Sequence, residues 1–400
     1  MHQMTRVMHV VAPGPVGGLE RVVQTLAVAQ RSDPLVTDVR VVILGGMTPG
    51  DRAAFVAPLA EQGIEAHTVI TAPRAYGRQR RAVAALCDLH RPDIVHTHGA
   101  HADVVAAHVG EATGAATVTT LHGLVGGSLR NQAYEWLQRR SCRTRDAVVA
   151  VSRPLAKALI ADGAPPERTH VVRNAWCSSA TAHSRADARR LLRLPAHDYI
   201  IGWIGRVSPE KGLDVLLDAL DCRPAHDVRL AVLGDGALRL ALSARAARGA
   251  LGQLGRISWH GQVAHASRFL PAFDVMVMSS HTEGTPMVLL EAMAAEVPVI
   301  TTAVGGIPDI VGADDAVLVE PADPVALRAA IDAVRRDPRG ARRRALAARE
   351  RLQHEGDVER WAARYSSVYA AATTASHRRQ TPGAPTARRA APTSPVVSAP

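Results

Sequence analysis

Lys157 and Lys211 are the only lysines among the 47 basic residues of this chain, so a lysine at a motif position is informative. Lys211 falls in Gly205-Arg206-Val207-Ser208-Pro209-Glu210-Lys211-Gly212, after one apolar run and just before a helical stretch. Arg206 at the strand end and Lys211 at the helix start can converge on a diphosphate, where charge-assisted hydrogen bonds act in a partly dry cleft. A second candidate runs Ser279-Ser280-His281-Thr282-Glu283-Gly284-Thr285-Pro286-Met287 and on to Glu291. Thr285 can cap a helix and Pro286 suits its first turn, so a helix is expected from Thr285. Glu283 then precedes that helix, and Glu291 lies about 7–8 Å along its axis from Pro286. An anion on the amides near Met287 would lie between the two carboxylates. Each carboxylate is then free for a hydroxylated group on one side of a diphosphate, a sugar or a ribose.

Three further segments sit after strand-like runs. Gly14-Pro15-Val16-Gly17-Gly18-Leu19-Glu20 opens a helix, where glycines permit close backbone approach and free N–H groups attract an anion. It is not a dinucleotide fingerprint, because GxGxxG is missing and the second strand ends in Leu44-Gly45-Gly46 rather than in an acid. His96 and His98, in Val95-His96-Thr97-His98-Gly99, share a face by strand alternation. No thiolate or carboxylate stands at ligand spacing nearby, so no metal is expected and both are read as lining the sheet edge, bonded to backbone. His122, in a loop followed by Gly123, is expected to contact substrate.

The elements that must hold these residues alternate regularly. Strands are expected at 7–11, 39–44, 66–70, 94–97, 117–120, 147–151 and 170–173, with helices between them. After an arginine-rich helical linker near 184–194 the rhythm restarts, with strands at 199–205, 228–233, 257–260, 275–278, 298–301 and 316–319. Strands apolar on both faces and separated by helices imply parallel sheets covered on both sides. The reading is therefore two doubly wound α/β domains, about 1–180 and 195–355, followed by a helix to about 371. Such sheets bind ligands at their carboxyl ends, which is where the candidate residues fall. From Ala372 onward the chain is rich in Ala, Pro, Thr, Ser and Arg without an apolar period, and is expected to be disordered.

Composition narrows the classes. The 400 residues are 47% hydrophobic, enough for two cores, yet only 3% aromatic. A net charge of +10 is partly the tail's, since Arg378, Arg379, Arg388 and Arg389 lie there. Few aromatics and a mildly basic body argue against nucleic-acid binding. The stretch Arg74-Ala75-Tyr76-Gly77-Arg78-Gln79-Arg80-Arg81 reads either as a solvated helix start or as weak contact with anionic headgroups or an acceptor pyrophosphate. Cys87, Cys142, Cys177 and Cys222 are widely spaced, and no run is apolar enough to span a bilayer. A cytoplasmic protein, if anything at the inner face of the membrane, is the expectation.

Taken together, these residues resemble the retaining glycosyltransferases of family 4, which have the GT-B fold. The likeness covers about residues 6–371. It rests on Gly17-Gly18-Leu19-Glu20, Val95-His96-Thr97-His98, His122-Gly123, Val151-Ser152, Gly205-Arg206 with Glu210-Lys211-Gly212, Gly234-Asp235-Gly236, Gly261-Gln262, Glu283 to Glu291 as E-x7-E, Gly305-Gly306, and Trp361…Tyr365…Tyr369. The resemblance implies a nucleoside-diphosphate sugar donor on the second domain and an acceptor on the first. Arg206 and Lys211 would neutralise the diphosphate in place of a metal, with no cofactor. Glu291 would hold the ribose, and Glu283 the donor sugar, with Gly284, Thr285 and Met287 beside them. Gly17 and Gly18 would close over the phosphates, and His122 would serve the sugar or its developing charge. The final helix would cross back to the first domain. The chain departs from the family at Asn174-Ala175-Trp176, where Asn-Gly-aliphatic is usual, which concerns the local turn and the acceptor side.

Other readings of the same architecture are a sugar phosphorylase, a sugar-nucleotide epimerase and a non-catalytic nucleotide-sugar binder. A phosphorylase needs a lysine for pyridoxal phosphate, and neither Lys157 nor Lys211 is placed for it.

Overall fold

A computed structural model describes residues 4–14, 17–72, 75–106, 109–123, 129–176, 181–221 and 227–380. Seven strands form the first sheet: β1 (Thr5–Val11), β2 (Val36–Leu44), β3 (Glu65–Val69), β4 (Ile94–His98), β5 (Ala116–Leu121), β6 (Ala147–Ala150) and β7 (Thr169–Val171). Six form the second: β8 (Tyr199–Ile204), β9 (Val228–Leu233), β10 (Ile257–Trp259), β11 (Val275–Met278), β12 (Val299–Thr302) and β13 (Val317–Val319). The orders are β3-β2-β1-β4-β5-β6-β7 and β10-β9-β8-β11-β12-β13, and the strand pairs run parallel. In each sheet the order reverses beside the first strand, between β1 and β4 and between β8 and β11. Loops at such a switch point diverge to opposite faces and leave a crevice. The segments after β1, β8 and β11 hold most of the candidate residues, and His122 follows β5.

Strand interiors follow from composition. Val39, Val41, Val42 and Ile43 of β2 are all buried, as are the residues of β5 and β6. Branched side chains pack on both pleated faces, which a sheet covered on both sides requires. No helix among the described residues is long and apolar enough to cross a membrane. Cys87 and Cys142 are buried and free; Cys177 and Cys222 lie outside the described residues, as does Arg74.

The last helix, Val358–Gln380, follows the second sheet but packs on the first. Its Trp361, Tyr365, Val368, Tyr369 and Ala372 share one core with Val7, Val11, Leu26 and Val118. The disordered tail expected from Ala372 is thus corrected: nine more residues are helical, with Ala372 and Ser376 buried. Small residues at helical spacing pack closely on a sheet, and Ala favours helix. Residues 381–400 lie outside the described residues.

Under this helix lies a seam of buried imidazoles. His9 of β1 is the register partner of His96 of β4, and His98 faces Val11. Ring centroids of His96 and His98 are 4.1 Å apart, and His9 lies 5.2 Å from each. The sequence suggested backbone partners for His96 and His98; the structure gives them side chains instead. His96 engages the Tyr369 hydroxyl through Nδ1 (2.9 Å) and Thr120 Oγ1 through Nε2 (2.7 Å). His98 engages His9 (3.0 Å) and His122 (3.2 Å). His9, His96 and His98 are close enough to share an ion. Their six ring nitrogens are nonetheless all hydrogen-bonded, since His9 also meets Gln30 Oε1 at 2.8 Å. A metal would have to break several of these bonds.

Burial keeps the rings neutral: His9 and His122 are pulled down to about 4, and His96 and His98 well below the ordinary 6.5. Each ring therefore binds a proton more readily unfolded than folded. Its contribution to stability is complete above pH 6.5 and is lost as pH falls toward 4. The unfolding free energy from urea titrations should fall steadily between pH 7 and pH 5, by about 1–2 kcal/mol for each ring, and the midpoint with it. A midpoint that stays level across this range would show that the rings titrate normally.

Candidate active site

The turn that holds Lys211 is fastened to the loop after β11 by backbone geometry. Gly212 has φ +56°, and an added Cβ would lie 2.0 Å from the Ser279 carbonyl oxygen, so the position tolerates only glycine. Ser279 Oγ donates to the Gly212 carbonyl at 2.6 Å, and the His281 amide donates to the Glu210 carbonyl at 2.9 Å. These bonds bring Lys211 Nζ to Glu283, donating to Oε1 at 2.7 Å and Oε2 at 2.9 Å. Ser280 Oγ donates to the same carboxylate at 2.7 Å. The Glu283 side chain is 6% exposed and that of Lys211 28%, so this ion pair is largely shielded. Behind it, Gly305 (φ +54°) passes so close that a Cβ would fall 1.8 Å from the Glu283 carbonyl oxygen.

The expected helix begins later than the sequence suggested, at Met287, and runs to Ala294. Pro286 is its N-cap, and Thr285 does not cap it. Thr285 Oγ1 instead donates to the Val151 carbonyl (2.7 Å), and its carbonyl accepts from Asn174 Nδ2 (3.4 Å). The hydroxyl is spent on joining the two sheets' loops, which outweighs a local cap because Val151 offers a buried carbonyl.

Glu291, on this helix, is buried. Its carboxylate forms an ion pair with Arg21, from the helix Gly18–Arg31 of the first domain. Burial pushes the Glu291 carboxyl above the usual range, and Arg21 opposes that shift. The same first-domain helix brings Gly18 to Met287: a Cβ on Gly18 would lie 3.7 Å from Met287 Cγ. Glu20 fixes the glycine loop, accepting from the amides of Gly14 (2.9 Å) and Gly17 (3.0 Å). Pro15 and Val16 lie outside the described residues.

His122 follows β5, and its carbonyl packs against Gly284, where an added Cβ would come within 2.2 Å. Its Nδ1 is buried and has no hydrogen-bond partner among the described residues. Gly17, Gly18, His122, Lys211, Glu283, Gly284, Thr285, Met287 and Glu291 thus meet along one seam between the sheets. Arg206 is exposed on the rim and has no ion-pair partner among the described residues.

Arg21, His9 and Gln30 did not stand out in the sequence, and Glu20 entered only as the last residue of the glycine motif. Arg21 had one signal, a cation in the first turn of a helix, where the dipole disfavours it. Glu20 sits three residues after Gly17, the spacing of a carboxylate that reaches back to the cap.

Two family models match. Residues 16–176 match Glycosyltransferase Family 4, and residues 198–337 match Glycosyl transferases group 1. A glycogen synthase of Mycobacterium tuberculosis is 29% identical over 300 residues, 70% of this chain and 69% of that protein. A D-inositol 3-phosphate glycosyltransferase of Xylanimonas cellulosilytica is 36% identical over 244 residues, 57% of each chain. Among solved structures, Anabaena Alr3699/HepE in complex with UDP and glucose superposes with TM-score 0.77 at 22% identity, over 92% of this chain and 99% of that one. A sucrose-phosphate synthase from Thermosynechococcus elongatus superposes with TM-score 0.73 at 20% identity, over 91% and 98%. Two parallel-sheet domains meeting at their switch points, with the glycine loop on one side and the Lys211–Glu283 pair on the other, therefore belong to a glycosyltransferase of family 4 with the GT-B fold.

Proposed function

We propose that the protein is a metal-independent, retaining hexosyltransferase that uses a UDP- or GDP-sugar and a hydroxyl acceptor. The observation behind this reading is the Lys211–Glu283 pair held under Ser280. Opening a shielded ion pair is costly unless each partner finds a replacement. A nucleotide sugar supplies both: its diphosphate takes the ammonium, and its sugar hydroxyls donate to the freed carboxylate. Glu291 exchanges Arg21 for ribose hydroxyls in the same way. Exposed Arg206 adds a second cation on the diphosphate, and the amides of Gly284, Thr285 and Met287 complete the anion site. Gly17 and Gly18 close over the phosphates.

Breaking the sugar–phosphate bond puts negative charge on the diphosphate and positive charge on the anomeric carbon. Preorganised cations stabilise the first, so no divalent ion is required. The acceptor hydroxyl attacks from the face the leaving group departs, its proton passing to the departing phosphate oxygen. No side chain then serves as base. The acceptor binds on the first domain (about 1–180) and the donor on the second (195–355), with the last helix tying them together. The product belongs to a cytoplasmic route to surface polysaccharide, glycolipid or a secondary metabolite. The nucleotides named for the Anabaena structures support a nucleoside-diphosphate donor.

The reading is tested first with a panel of UDP-, GDP- and other activated sugars, scoring slow donor hydrolysis by mass spectrometry. An isomerised sugar without acceptor would instead identify an epimerase. Lys211→Ala and Arg206→Ala should each cut turnover at least roughly a hundredfold with folding intact, as loss of such electrostatic support does elsewhere. Near-normal turnover in either variant would defeat its assignment. Glu291→Ala should weaken nucleoside-diphosphate binding about tenfold or more by calorimetry, the effect of one lost charged hydrogen bond. The variant should bind a 2′,3′-dideoxy nucleotide as the wild type does. Chelator treatment should leave turnover unchanged; activity restored only by magnesium or manganese overturns the metal-free mechanism.

A further inference from the structure

The bare Nδ1 of His122 ends a continuous chain of buried hydrogen bonds that begins at Gln30. Gln30 is fully buried and both ends of its amide are used. Its Nε2 donates to the Tyr369 hydroxyl at 2.7 Å, and its Oε1 meets His9 Nε2 at 2.8 Å. An oxygen there can only accept, so His9 carries its proton on Nε2. Burial leaves His9 with one ring proton, so its Nδ1 accepts from His98 Nε2 at 3.0 Å. His98 is neutral for the same reason, and its Nδ1 accepts from His122 Nε2 at 3.2 Å. His122 is neutral too, which leaves its Nδ1 without a proton.

The side branch agrees. Tyr369 accepts from Gln30, so its own proton goes to His96 Nδ1 at 2.9 Å, and His96 Nε2 donates to Thr120 at 2.7 Å. The opposite polarity would need the Gln30 amide turned over. It would also leave an N–H orphaned at His122 Nδ1, and buried orphan donors are the rarer and costlier kind.

We propose that His122 acts toward substrate as a neutral hydrogen-bond acceptor through Nδ1, and that Gln30, His9 and His98 are positioning residues that fix this polarity from beneath the crossing helix. The His122 backbone carbonyl packs against Gly284, next to Glu283, which places the residue at that end of the seam, and its bare Nδ1 is assigned there to a substrate hydroxyl. Burial, which lowers the His122 pKa to about 4, disfavours a cationic ring there. The identity of that hydroxyl rests on the transfer reaction proposed above; the polarity does not.

Uniformly 15N-labelled protein at pH 7 gives the test through long-range 1H–15N correlations of the imidazoles, with His122→Asn used to assign the peak. A protonated Nε2 and a bare Nδ1 at His122 are expected. A protonated Nδ1, alone or in an imidazolium, overturns the proposal. Gln30→Leu removes the acceptor that sets the chain, so His122 should show mixed tautomers and kcat/KM should fall roughly tenfold. Gln30→Glu still accepts from His9 and should keep the wild-type tautomer. An unchanged tautomer or an unchanged rate in Gln30→Leu also overturns the proposal. If every donor in the panel fails, the transfer reaction is lost, while the spectrum still decides the polarity.

Discussion

Two nearly buried carboxylates govern the arrangement of the seam. Glu283 and Glu291 lie on either side of the start of one short helix, and each must meet a positive charge or lose its ionised form. Lys211 meets Glu283 from within the second domain, whereas Arg21 meets Glu291 from the first. The second pair therefore does more than neutralise charge, because it spans the two sheets. Thr285 with Val151, Asn174 with Thr285, and the Arg153 amide with Asp309 (2.9 Å) act in the same direction. The domains are held together at the edge of the crevice by polar bonds contributed from both sides.

The first domain solves a different problem. Its sheet carries three histidines in a place where an apolar side chain would cost nothing. They are accommodated because each nitrogen finds a partner, and several partners come from outside the sheet: Gln30 from the first helix and Tyr369 from the last. A satisfied buried network specifies one arrangement, while a half-satisfied one is worse than an apolar core. The final helix is thereby tied to the first domain by directional bonds in addition to its apolar contacts, and its attachment reaches the loop that bears His122.

Much of this was legible in the sequence because parallel strands buried on both faces leave an apolar run that few other elements imitate. Strands β9 and β11 fall where the residues indicate, and the other strand ends shift by up to three residues. Lys211 and the Glu283–Glu291 spacing stood out because residue type and position were both unusual. What could not be read depends on distance along the chain. Arg21 and Glu291 are 270 residues apart, and nothing local to either announces the other. Thr285 was misread because a local cap looked sufficient, when a distant carbonyl was the better partner. The helix beyond Ala372 was missed because its small residues resemble a low-complexity tail until the sheet that receives them is known. His9 lay inside a strand-like run and drew no attention, since its meaning comes from the strand beside it.

The docking of the last helix also bears on the order in which the molecule can be finished during synthesis. All seven strands of the first sheet have been made by residue 171, yet Tyr369, which closes over Gln30 and His96, is added almost two hundred residues later. Domains generally fold as units, N-terminal first, as the chain leaves the ribosome. Here the earlier unit waits with part of its polar interior uncovered until residue 369 has been made, so the first sheet is covered only after the last strand of the second, Val317–Val319, has been made.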